Sequence, residues 1–146
     1  MNLFSMLEVS GSALGAERMR AEVVAVNMAN AQTTRTPAGG PYRRQMVIFQ
    51  STARARFSLA LAGNGLLQDH PAAVRVAAVV GDARPPVMRF EPGHPDANAQ
   101  GYVAYPQVDP VEEMTDLLSA VRAYELNASA VQATKNMIQQ SLDLLR

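Results

Sequence analysis

The 146-residue chain has no cysteine, no tryptophan and only two histidines, and aromatic residues make up 5% of it. Without cysteine, disulfides, thiolate metal sites and a cysteine nucleophile are excluded, and the redox compartment stays open. Met1 to Leu14 lacks the basic leader, continuous apolar core and small-residue cleavage site of a secretory signal, so no cleaved signal peptide is expected. Apolar runs such as Val76 to Val80 are far too short to span a bilayer, which predicts a soluble chain, cytoplasmic by default and without direct membrane insertion. No phosphate loop, dinucleotide fingerprint, GxSxG elbow or HExxH helix is present. Internal repeats and low-complexity tracts are missing as well.

Charge is balanced overall at a formal zero, but its distribution is uneven. Residues 31–68 hold Arg35, Arg43, Arg44, Arg54 and Arg56 with no acid, whereas residues 109–146 hold six acids against Arg122, Lys135 and Arg146. This polarity suits contacts between copies or between the two regions. The aromatics near the basic stretch, Tyr42, Phe49 and Phe57, fit strand positions equally well, so no nucleic-acid partner is expected.

What the chain does have is helical periodicity at both ends. From Met114, the residues Leu117, Val121, Tyr124, Ala128, Val131, Lys135, Ile138, Leu142 and Leu145 follow at alternating steps of three and four, a coiled-coil seam broken only by Lys135. Asp109 at the cap, Pro110 at the first helical position and Glu112 three residues after the cap predict where that helix starts, with Asp109 and Glu112 closing a capping box. If helical from Pro110 onward, the segment is about 55 Å long, more than a compact domain of this size needs. Residues 2–30 are a second helix, with Leu3, Leu7, Leu14, Val24 and Met28 on one stripe and Ala16, Met19, Val23 and Val26 on a neighbouring one. Gly11 and Gly15, each costing about 1 kcal/mol relative to alanine, predict a break or bend in its first half. The helix should end near Asn30, ahead of the turn-rich Pro37, Gly39, Gly40 and Pro41.

Between the helices the period changes to that of strands: Met46–Phe49, Arg54–Leu61, Ala73–Val80, Val87–Phe90 and Tyr102–Tyr105, with a turn at Gly63-Asn64-Gly65. The expected fold class is α+β, with long N- and C-terminal helices forming a coiled-coil-like pair and a small β-hairpin-rich middle. Three parts follow: 1–32, the N-terminal helical part; 33–108, an extended linker and β-rich region; and 109–146, the C-terminal helical part.

The strongest candidate for chemistry is His94 with Asp96, supported by Asp82 or Glu91, a pairing able to bind a metal or to orient a base. In a Pro-Gly loop such a pair more often serves the turn itself, and His70 before a proline reads as extended loop. No catalysis, cofactor or metal is therefore expected. Asn27 and Asn30 read as helix C-terminal capping residues, where asparagine tolerates the left-handed conformation. Arg122 with Glu125 reads as a solvated pair, while Asn127 and Lys135 either share that role or set the register of a partner helix.

Two signatures carry a resemblance. Asn27-Met28-Ala29-Asn30-Ala31-Gln32-Thr33 is similar to the ANxxT signature of bacterial flagellar rod and hook proteins. Glu113-Met114, followed by Ser119 to Asn127 with its Arg122-Ala123-Tyr124, resembles that family's C-terminal EM…RAYxxN signature. The tracts Tyr42–Phe49, Phe90–Ala97 and Gly101–Asp109 resemble its proximal-rod members. The likeness covers about residues 10–50 and 82–146.

That resemblance implies a structural subunit of the basal-body rod, self-assembling with copies of itself and with other proximal and distal rod proteins and the export-gate adaptor into a torque-transmitting shaft. It also implies export from the cytoplasm through the flagellar type III apparatus to the periplasmic space, replacing the cytoplasmic default, and terminal helices without a partner before assembly. Leu7, Leu14, Val23, Val26, Asn27, Asn30, Thr33, Met114, Leu117, Val121, Arg122, Tyr124, Asn127, Val131, Lys135, Ile138 and Leu142 are then expected to pack between helices and subunits. The alternatives are another axial protein of the same family, a coiled-coil adaptor with an acidic partner, and a metal-dependent enzyme using His94 and Asp96.

Overall fold

A computed structural model of the chain describes residues 3–52 and 73–144. The order of elements is α1 (Leu3–Ala29), β1 (Gln45–Ser51), β2 (Val74–Gly81), β3 (Val87–Phe90), β4 (Tyr102–Tyr105) and α2 (Pro110–Asp143). The fold is α+β: two long helices enclose a middle of small antiparallel strand pairs. The strand expected over Arg54–Leu61, the turn at Gly63–Gly65, His70 and Leu145 lie outside the described residues.

α2 begins where its sequence signals place it. The Asp109 side chain accepts from the Val111 N–H at 2.8 Å, and Pro110 follows at the first helical position. The expected capping box does not close. Glu112 turns its carboxylate toward the Arg44 guanidinium at 3.7 Å, because an attractive cation is within reach. At 34 residues the helix is about 51 Å long.

α1 runs unbroken through Gly11 and Gly15, against the expectation of a bend. A Cβ at either position would meet nothing within 4 Å, so neither glycine answers a packing demand among the described residues. Their propensity cost is carried by the tertiary contact of α1 with α2. The two helices are antiparallel, since Asn27 near the end of α1 meets Glu113 at the start of α2, and Arg20, about two turns earlier, meets Asp116.

The seam on α2 lies one residue away from the expected positions. Glu113, Ala120 and Thr134 are buried, with Asn127 half-buried, and these four recur every seven residues. Leu117, Ala128, Val131 and Ile138, the shared part of the expected seam, are half-buried beside them. Met114, Val121, Tyr124, Lys135 and Leu142 face outward, with Met114 54% exposed. Apolar periodicity alone found an apolar stripe, but small and hydrogen-bonded residues occupy the positions closest to α1.

β1 and β2 pair with Val47 opposite Val79 and a bulge between Ile48 and Phe49. This hairpin is fastened to α1 by Ser12, whose hydroxyl donates to the Val9 carbonyl at 2.7 Å and accepts from the Val74 N–H at 3.1 Å. β3 and β4 form the second pair, in which Val103 is fully buried and the Phe90 and Tyr102 rings meet edge to face at 5.3 Å. Gly101 turns the chain into β4 at φ +81°, and a Cβ there would stand 2.9 Å from Phe90 Cε2. No helix among the described residues is long and apolar enough to cross a membrane.

Candidate functional site

The described core is small. Its buried apolar residues are Ala16, Val23, Val24, Val103 and Ala120, two alanines and three valines, so little apolar area holds the helices together. At their joined end a polar clasp contributes instead. Asn27, 1% exposed, has its whole amide engaged: Nδ2 donates to Glu113 Oε2 at 3.0 Å and to the Gln45 carbonyl at 2.9 Å. Its Oδ1 accepts from the Tyr42 hydroxyl and from the Gln45 N–H, both at 2.9 Å. The single side chain thus joins α1, the connector of residues 30–44 with the first residue of β1, and the start of α2.

Glu113, fully buried, takes its second partner from Arg44, whose Nε donates to Glu113 Oε1. Arg44 also lies 3.5 Å from Asp116, and Asp116 accepts from Arg20 at 3.1 Å. Burial works against the Arg44 charge, but the hydrogen bond and field of Glu113, with Glu112 and Asp116 behind, outweigh it and hold its pKa above the usual arginine value. Burial, and next the Glu113 charge, raise the Tyr42 hydroxyl pKa. Both charges of the Arg44–Glu113 pair are hydrogen-bonded, as a buried pair requires.

A second anchor ties the connector to the loop before β4. Asp96 accepts from the Thr34 hydroxyl at 2.9 Å and pairs with Arg35 at 3.6 Å, while its backbone N–H donates to His94 Nδ1 at 3.1 Å. Glu91 accepts from the Tyr105 hydroxyl at 2.9 Å, and Asp82 pairs with Arg84 at 2.6 Å. The chemistry-bearing residues of the middle region are therefore spent on turns and anchors. No cluster of three or more metal-ligating side chains occurs among the described residues.

The residues expected to pack between helices and subunits divide into an inner and an outer set. Val23 and Asn27 are buried; Leu7, Leu14, Asn30, Thr33, Leu117, Asn127, Val131 and Ile138 are half-buried. Val26, Met114, Val121, Arg122, Tyr124, Lys135 and Leu142 are exposed. Asn30 caps α1 through its side chain, donating to the Val26 carbonyl at 2.9 Å and accepting from Thr33 at 3.2 Å. It does so without the expected left-handed backbone, which no described residue other than glycine adopts. Arg122 forms no ion pair with Glu125, and Asn127 donates to the Ala123 carbonyl of its own helix at 2.8 Å.

Sequence reasoning missed Glu113, Arg44, Tyr42 and Asp116 as members of the site. The basic connector and acidic helix were the available signal, since Arg44 answers three acids of α2. On the outside of α2, Val111, Met114, Leu118 and Val121 recur at helical spacing and form a second apolar stripe, exposed within the chain. Such a face marks an interaction surface.

Comparison with known proteins bears on what covers it. The family model for the C-terminal region of flagellar basal body rod FlgEFG proteins matches residues 99–144. The chain is 39% identical to the flagellar basal-body rod protein FlgC of Borreliella burgdorferi, over 100% of this chain and 99% of that relative. Its identity to the FlgC of Bacillus subtilis is 41%, over 99% of both chains. To the FlgC of Salmonella typhimurium it is 38%, over 99% of this chain and 98% of the relative.

Proposed function

The chain belongs to the FlgC family of flagellar basal-body rod proteins, and from that premise we propose how it serves as a structural subunit of the rod. The paired helical parts, residues 1–32 and 109–146, act as its rod core part, and residues 33–108 serve as the linker and small β-rich part between them. The inner residues of the seam hold the subunit together. The outer set, Val26, Met114, Val121, Arg122, Tyr124, Lys135 and Leu142, meets neighbouring copies and other rod proteins.

The observation that carries this reading is the imbalance between inside and outside. Five apolar residues are buried among the described ones, while Phe4, Met19, Val26, Met114, Leu118 and Val121 stand exposed along two helices about 40 and 51 Å long. A soluble monomer of this size normally hides such stripes. Repeated head-to-tail contacts that do not close into a ring would cover them and produce a shaft. Rigidity then comes from seam burial summed over many subunits, and the shaft transmits torque without chemistry of its own. Passage through the flagellar type III export apparatus without a cleaved signal, and residence in the periplasmic section of the basal body, complete the reading.

The test is purification of intact basal bodies from cells, followed by a high-salt wash. A rod subunit stays with the basal body through the wash. A coiled-coil adaptor held by the basic connector is released, and its release overturns the proposal.

A further inference from the structure

We propose that the outward face of the β3–β4 hairpin docks on the β1–β2 hairpin of a neighbouring copy of this chain. The inference rests on the reading of the chain as a rod subunit and goes beyond it, since it places a contact in the middle region rather than along the helices. By register Met88 lies opposite Ala104 and Phe90 opposite Tyr102, so these four share one face of the ladder. Met88 is 51%, Phe90 64% and Tyr102 42% exposed. Val87, Arg89, Val103 and Tyr105 take the other face, where Val103 is fully buried and Arg89 lies over the Tyr105 ring at 4.8 Å.

The exposed ring is also held in place. Phe90 meets Tyr102 edge to face at 5.3 Å and lies so close over Gly101 that a Cβ there would stand 2.9 Å from Phe90 Cε2. Gly101 turns at φ +81°, a conformation that its missing side chain permits. A ring fixed before it meets a partner loses little freedom on binding, and fixed aromatics of this kind carry much of the energy of an interface. The chain itself leaves the ring uncovered: β3 and β4 pack on each other and on no other helix or strand among the described residues.

In a shaft whose core is the paired helices, neighbouring copies meet helix to helix and middle region to middle region. β1–β2 offers the matching surface there. Met46 lies opposite Val80 and Ile48 opposite Ala78, so these share a face, with Ile48 45% and Val80 38% exposed. The two hairpins do not meet within the chain, and a two-stranded hairpin alone is marginal in water, so stacking one on the other between copies supplies what each lacks. Charge agrees with the pairing. Residues 87–105 carry Arg89 against Glu91 and Asp96, whereas residues 45–51 and 74–81 carry Arg75 and no acid. Arg75 is bonded to Gln50 and pairs with no acid among the described residues. Because the two faces are different surfaces, the contact is head-to-tail and repeats from copy to copy without closing.

Each face presents a handful of side chains, against roughly 20–30 residues a side in a stable complex. The contact therefore forms between copies already held together along their helices, and it is tested in the assembled basal body. The chain has no native cysteine, so Met88→Cys/Ile48→Cys puts one thiol on each face. Salt-washed basal bodies are treated with a bis-maleimide spanning about 10 Å, the spacing of packed sheets. The double variant gives cross-linked multiples of the 15.7 kDa chain, and each single variant stays at monomer mass.

Multiples from either single variant mean that a face meets its own counterpart, and they overturn the proposal. So does a cross-link to a different rod protein, or a double variant that stays in the basal body and gives no cross-link. Loss of the wild-type chain from the washed basal bodies overturns the structural-subunit reading instead, which keeps the two failures apart. Where the cysteine pair keeps the chain out of the basal body, complementary charges read the same contact. Met88→Lys and Ile48→Glu each abolish swimming, and the two combined in one chain restore it; a combination that restores nothing overturns the proposal.

Discussion

Replacing Asn27 separates what its amide does from what its size does. In Asn27→Ala, Glu113 loses a charge-assisted hydrogen bond worth about 1.5–3 kcal/mol, and the two backbone groups of Gln45 lose partners at about 1 kcal/mol each before water compensates. The half-buried Tyr42 hydroxyl can turn toward solvent, so the expected loss is about 3–4 kcal/mol, a large share of a domain's stability. Asn27→Asp keeps the shape but sets a second carboxylate where an N–H now stands 3.0 Å from Glu113 Oε2. At pH 7 this variant should be less stable than the alanine one.

Like charges at that separation favour sharing a proton, which raises the folded-state pKa of the pair above its unfolded value. A raised pKa means that the folded chain binds more protons, so the aspartate variant gains stability as pH falls from 7 toward 5. Urea titration followed by far-UV circular dichroism at pH 7 and pH 5 measures both effects, and 3–4 kcal/mol corresponds to a midpoint shift of about 2 M. The reasoning fails if both variants lie within about 1 kcal/mol of wild type at pH 7, or if the aspartate variant gains nothing relative to the alanine one at pH 5.

Four further outcomes are expected. Val121→Asp, on the exposed stripe, should change the urea midpoint of the isolated chain by the small amount typical of surface substitutions yet abolish rod assembly and swimming; normal motility in cells carrying it would count against the outer seam. Gly101→Ala forces an alanine to φ +81° with its Cβ 2.9 Å from Phe90 Cε2, which should cost about 2 kcal/mol by thermal or urea unfolding. Asp109→Ala removes the cap bond to Val111 and should cost about 1 kcal/mol on the same scale. Tyr42, whose pKa burial raises, favours its protonated form in the fold; that contribution is fully present below the unfolded value of about 10 and is lost as pH rises through the folded value. Tyr42→Phe should therefore lose less stability than wild type between pH 9 and pH 11 in alkaline titration.

Much of the architecture was readable because local signals and tertiary structure agree. Asp109 and Pro110 open α2 as their chemistry requires, and the valine-rich run at residues 74–80 and the short run at 87–90 became β2 and β3. The glycines of α1 misled because a propensity cost of the order of 1 kcal/mol each is small beside the burial of a 27-residue helix against its partner. The inner seam was hidden for a different reason. Glutamate is among the residues least often buried, so periodicity reasoning passed over Glu113 for its apolar neighbour Met114, and only the position of Arg44 in space makes that burial tolerable. Likewise the sequence shows two amides at Asn27 and Asn30 but not that one bridges three segments while the other caps its own helix.

The antiparallel pairing of α1 and α2 also has a mechanical consequence. The clasp sits where the two helices are joined through the connector, and the start of α1 lies beside the end of α2 at the opposite pole. A pull that separates that open pole acts on the seam one contact at a time, as on a zip, and reaches the stitched end last. Sliding one helix along the other strains the clasp at once, together with every contact of the seam. The subunit therefore yields in steps to peeling and resists axial shear as a whole.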